Sequence, residues 1–81
     1  NNIVDNPAEE VIKQLQYNEL LSEVMKLPKK YKEVIILFYY EEVSTSEISK
    51  ILSIPEGTVR SRLFRAREIL KYNLDGKISY E

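Results

Sequence analysis

Only two residues, Ser53 and Ile54, stand between Leu52, which ends one helical period, and Pro55, which opens the next. A connection that short binds the two helices into a helix-turn-helix unit, with Ile54 as the apolar plug of the turn. Upstream, Ser44 followed three residues later by Glu47 forms a capping box and starts a helix near Thr45. Ile48, Ile51 and Leu52 supply its buried face, and the short Ser49 lets another helix approach. Downstream, Val59, Leu63, Ala66 and Leu70 recur at steps of four, three and four, a seam on one side of a helix over 55–72. At about 100° per residue, Gly57, Arg60, Ser61, Phe64 and Arg65 face away from that seam, with Arg62 and Arg67 on its flanks. A helix that buries one seam and shows arginine, serine and an aromatic opposite it is suited to enter a groove.

The preceding chain supplies the support. Asp5 or Asn6 caps a helix that Pro7 starts, giving a first helix over 7–26. Its apolar residues form two sets on nearly opposite sides: Val11, Ile12 and Leu15, then Tyr17, Leu20, Leu21 and Val24. Only one set can face the domain core, which leaves the other loosely packed or available to a partner. Pro28 disfavours helical geometry at Leu27 and suits a new first turn, so a second helix is expected over 28–42. Its middle, V-I-I-L-F-Y-Y from Val34 to Tyr40, is rich in β-formers. A lone strand between helices would leave its backbone groups unsatisfied, so helix is expected here as well. Asn73 or Gly76 is expected to stop the last helix. The expected organisation is an all-α, four-helix domain over 7–73, preceded by a linker over 1–6 and followed by a flexible tail over 74–81. Opening at Asn1 rather than Met, the chain reads as part of a longer protein.

Composition narrows the chemistry. The 81 residues include neither Cys nor His, which excludes disulfides, the usual zinc sites and any nucleophile–histidine pair. No apolar run approaches the roughly 20 residues of a membrane span. The carboxylates show no spaced pair, and there is no glycine-rich phosphate loop, so no enzyme activity, metal, cofactor or small-molecule substrate is expected. The net charge of −1 hides a polarity. Residues 1–28 carry five acidic side chains against two lysines, whereas 55–73 carry five basic against two acidic. An acidic front and a basic back orient a domain on a polyanion.

The segment Leu27–Leu70 resembles region 4 of bacterial RNA polymerase sigma factors of the extracytoplasmic-function group, most specifically in G-T-V-R-S-R-L-F-R-A-R from Gly57 to Arg67. The resemblance implies a domain that reads the upstream (−35) promoter element in the major groove of double-stranded DNA. It also implies a neighbouring apolar surface for the β-subunit flap of RNA polymerase, regulation by an anti-sigma factor covering the same surfaces, and work in the cytoplasm. Ser49 stands where the family often has Ala, and Ser53 where it often has Gly. The alternative is the helix-turn-helix domain of a response regulator, which shares the form of E-I-S-K-I-L-S-I-P-E-G-T-V but has less use for S-R-L-F-R-A-R or the long first helix.

On this reading the base-reading residues are Glu56, Gly57, Thr58, Arg60, Ser61, Phe64 and Arg65. Arginine pairs with guanine O6 and N7, Glu56 can accept from cytosine N4, and Phe64 can rest on a thymine methyl. Gly57 lets backbone N–H groups approach phosphate. Ser44, Thr45, Arg62, Arg67 and Lys71 are the expected phosphate contacts.

Overall fold

A computed structural model describes residues 17–77. Every regular element in that span is helical. The described part of the first helix, α1, covers 17–25, and α2 spans Lys29–Ile35. α3 spans Thr45–Leu52 and α4 spans Glu56–Lys77. The expected Pro7 start, its Asp5 or Asn6 cap and the Val11, Ile12 and Leu15 set lie outside the described residues.

Pro28 divides α1 from α2 as its ring chemistry requires. At φ −54° and ψ 150° it sits in extended geometry, and its carbonyl accepts from Tyr31 and Lys32 N–H at 3.0 and 2.9 Å. The second helix then departs from the expected 28–42. Over Ile36–Tyr40 it widens into a π turn, closed by the Glu41 N–H donating to the Ile36 carbonyl at 2.9 Å. It ends at Tyr40, and Glu42 turns the chain away with a left-handed φ of 58°. The wider turn inserts one residue into the helical count, which redirects Tyr39 and Tyr40 relative to a 3.6-residue period.

The capping box forms: Ser44 Oγ accepts from Glu47 N–H at 3.1 Å. α3 closes through a double bond pattern in which Ser53 N–H reaches the Lys50 carbonyl at 3.3 Å and Ile54 N–H the Ser49 carbonyl at 3.0 Å. That closure requires Ser53 to be left-handed, and its φ is 57°. Ser49 does more than allow close approach, because its hydroxyl donates to the Ile54 carbonyl and braces the turn from inside. Ser49 and Ser53 thus belong to one structural device.

Val24, Leu27, Val34, Ile35, Ile48, Val59, Leu63, Ala66 and Leu70 form the core. All four seam residues of α4 are in it, and α4 packs on both α2 and α3. Ile54 and Leu52 pack partly against this core, whereas Ile51, expected inside, is 55% exposed. Two turns of α3 can bury little more than one side chain against α4, and Ile48 takes that place. α4 also corrects the expected stop: it passes Asn73 and Gly76 and reaches Lys77. Leu74, one turn beyond Leu70, lines the same apolar groove as Tyr17 and Leu20, and that contact favours continued helix where Asn73 alone would allow an end.

Candidate nucleic-acid interface

The short turn brings the starts of α3 and α4 together. Thr45, first residue of α3, donates its hydroxyl to Glu56 Oε2 at 2.7 Å, and Arg60 Nη2 approaches the same oxygen at 3.0 Å. Glu56 is therefore a bridge within the protein. Thr45 has a single hydroxyl proton, and in this structure it goes to Glu56. Ser44 differs. Its oxygen accepts the capping bond but its own O–H remains available on an exposed side chain.

Beyond this cluster the exposed face of α4 is open. A side-chain carbon at Gly57 would meet nothing within 4 Å, so the first turn of α4 can be approached without obstruction. Arg60, Ser61 and Arg65 are exposed, and Phe64 is 60% exposed despite its size. Ser61 Oγ donates to the Thr58 carbonyl at 3.0 Å, a bond within the helix that leaves its oxygen able to accept. Thr58 itself is half-buried and lies seven residues before Arg65 on the same side of α4. Arg62 is also half-buried, and lies two residues on from Arg60, roughly 200° around the helix. The face thus joins Gly57, Arg60, Ser61, Phe64 and Arg65 on one element, with Ser44 and Glu56 at its edge.

Arg67 and Lys71, expected among the phosphate contacts, stand apart from this face along α4. Arg67 Nη1 donates to the Tyr39 hydroxyl at 2.9 Å, and both Arg67 and Lys71 line an apolar groove between α1, the π turn and the second half of α4. Lys71 stands eleven residues, roughly 16 Å of helix, from Arg60, more than the ≈ 12 Å width of a major groove. The groove has a volume of about 610 Å³, and Leu20, Val24, Ile35, Tyr40, Leu70 and Leu74 supply much of its wall. Nothing in the sequence linked Tyr39 to Arg67, 28 residues apart. The four-residue spacing of Glu56 and Arg60, by contrast, is visible in the sequence as a helical ion-pair signal.

Residues 17–70 match the family model described as "Sigma-70, region 4". Among curated proteins, the chain is 43% identical over 68 residues to the "ECF RNA polymerase sigma factor SigW" of Bacillus subtilis, covering 84% of this chain and 36% of that protein. It is 39% identical over 71 residues to "ECF RNA polymerase sigma factor SigM" of the same organism, covering 86% and 41%. With the "ECF RNA polymerase sigma-E factor" of Haemophilus influenzae it shares 37% over 68 residues, covering 84% and 36%. The chain therefore spans about two fifths or less of the length of these relatives.

Proposed function

Because the chain belongs to the sigma-70 region 4 family, we propose that it reads the upstream (−35) promoter element in the DNA major groove and directs RNA polymerase to transcription start sites. The observation that carries this reading is the first half of α4, where Arg60, Ser61, Phe64 and Arg65 stand exposed opposite a fully formed buried seam. Phe64 held outward on a packed helix leaves apolar surface in water, and the arginines on either side of it add positive charge and N–H donors. Against base edges each has a use: a bidentate pair with guanine for either arginine, and an apolar contact with a thymine methyl for Phe64. Ser44, at the edge of this face, and Arg62, on the flank of α4 beyond Arg65, are the proposed phosphate contacts. The role is one of binding rather than catalysis, and it is exercised in the bacterial cytoplasm. The response-regulator alternative is disfavoured by the family match, which runs through S-R-L-F-R-A-R to residue 70.

The groove between α1, the π turn and α4 is the proposed seat of the β-subunit flap of the polymerase. An apolar trough of this size on so small a domain is the kind of surface a partner covers. An anti-sigma factor covering this trough and the face of α4 would silence both contacts at once.

Selection of duplexes from a random pool, with the chain bound to polymerase, tests the reading. A hexamer at fixed distance from the start site is the expected product. Arg60→Ala should then lose about 1–3 kcal/mol at one base pair of the recovered site and relax preference there. Equal loss on every sequence would show Arg60 to be no reader.

A further inference from the structure

We propose that Glu56 is a positioning residue for base readout: its carboxylate holds the Arg60 guanidinium and fastens it, through Thr45, to the first turn of α3. The proposal rests on the DNA-reading function above. It replaces the expectation that Glu56 itself reads a base.

The geometry separates this contact from an ordinary surface ion pair. An exposed pair four residues apart on a helix contributes little, since both long side chains remain free to leave. Glu56 is not free in that way. Its Oε2 takes the Thr45 hydroxyl at 2.7 Å as well as Arg60 Nη2 at 3.0 Å, and its side chain is 38% exposed against 63% for Arg60. Thr45 is in turn the first residue of a helix whose start is fixed by the Ser44 cap. The carboxylate is thus anchored to α3 through Thr45 and holds an arginine one turn further along α4. A guanidinium has five N–H donors in a rigid fork. With one terminal nitrogen held, the remaining donors keep a restricted range of directions, and less side-chain freedom is lost when they meet a base.

The arrangement also has a cost with the right sign for selectivity. A carboxylate beside the DNA backbone weakens binding to every duplex through repulsion. An arginine held in one direction discriminates between bases, whereas a loose one settles for any nearby phosphate. Glu56 therefore trades general affinity for choice of sequence.

A double-substitution cycle on the full 81-residue chain tests this, using the duplex recovered by selection, its single-base variants and random duplex, with melting temperatures recorded for every variant. Glu56→Ala is expected to reduce discrimination at the base pair read by Arg60 by about five- to tenfold, with unchanged or tighter binding to random duplex. In the Arg60→Ala background the same change should leave discrimination unaltered. Thr45→Val, which removes the anchor without touching either charge, should lower discrimination at that same base pair. Glu56→Gln, which keeps an acceptor oxygen, should lose less than Glu56→Ala. Additive loss in the Arg60→Ala background would make Glu56 a reader in its own right and overturn the proposal. Uniform tightening on every duplex in both backgrounds would make it a repulsive bystander and overturn it too. A wild-type chain without sequence preference would remove the DNA-reading function itself, an outcome distinct from both.

Discussion

Tyr40 keeps its hydroxyl buried with no hydrogen-bond partner among the described residues, while its ring meets that of Tyr17 edge-on at 6.2 Å. Burial, and then the neighbouring Tyr17, raise its ionisation above the ordinary value near 10. The unfolded chain loses this proton near pH 10, whereas the folded chain holds it longer. The contribution to stability is therefore intact below that pH and is lost as pH rises through the folded value. Tyr40→Phe should leave stability at neutral pH unchanged or slightly higher, since no partner is orphaned, and should move alkaline unfolding to higher pH. A loss above about 1 kcal/mol in denaturant titrations would mean that the hydroxyl has a partner after all. Ser53 makes the opposite case, a residue in left-handed geometry where glycine would pay less. Ser53→Gly should raise the melting temperature, by the equivalent of about 1 kcal/mol. The resemblance pointed to this strain, since the family often has Gly where this chain has Ser53. The bond from Arg67 to Tyr39 was not legible in the sequence. Helical periodicity places a side chain around its own axis and says nothing about which other element stands opposite.

Elements were most legible where local chemistry and packing agree. Ser44 and Glu47 announce the start of α3, Pro28 separates α1 from α2, and the Val59, Leu63, Ala66 and Leu70 seam is wholly buried. Leu63→Ala deletes methyl groups from that seam, where Leu63 is 3% exposed, and should cost about 2–5 kcal/mol in chemical denaturation. Ile51→Ala, expected from the sequence to be comparable, should cost only about 0.5 kcal/mol at a residue 55% exposed. A short helix has room for one central contact, and a count of apolar residues cannot say which of three will take it. The π turn over Ile36–Tyr40 was illegible for a related reason. A run apolar on all sides carries no phase, so one added residue leaves no trace in the pattern. The far end of α4 misled in the other direction. Asn73 and Gly76 favour a stop locally, but Leu74 gains a groove contact only if the helix goes on.

At the scale of the molecule, the basic stretch over 55–73 resolves into two surfaces on one helix. The first half of α4 presents the reading face, and the second half walls the groove with Leu70 and Leu74. The proposed roles predict that these surfaces fail independently. Tyr39→Glu and Leu74→Glu, at the groove, should lower affinity for polymerase core at least about tenfold, the equivalent of about 1.4 kcal/mol, while leaving DNA affinity and melting temperature near those of wild type. A joint fall in polymerase binding, DNA binding and stability would identify the same residues as core. Both surfaces share α4, which runs unbroken for 22 residues, so neither can turn without the other. Arg60 and Leu74 are separated by about 21 Å along a single rod at a set rotation. On the proposed reading α4 is a gauge, holding promoter contact and polymerase contact at constant distance and phase. Any tolerance for promoters whose elements are differently spaced must then come from joints outside this domain.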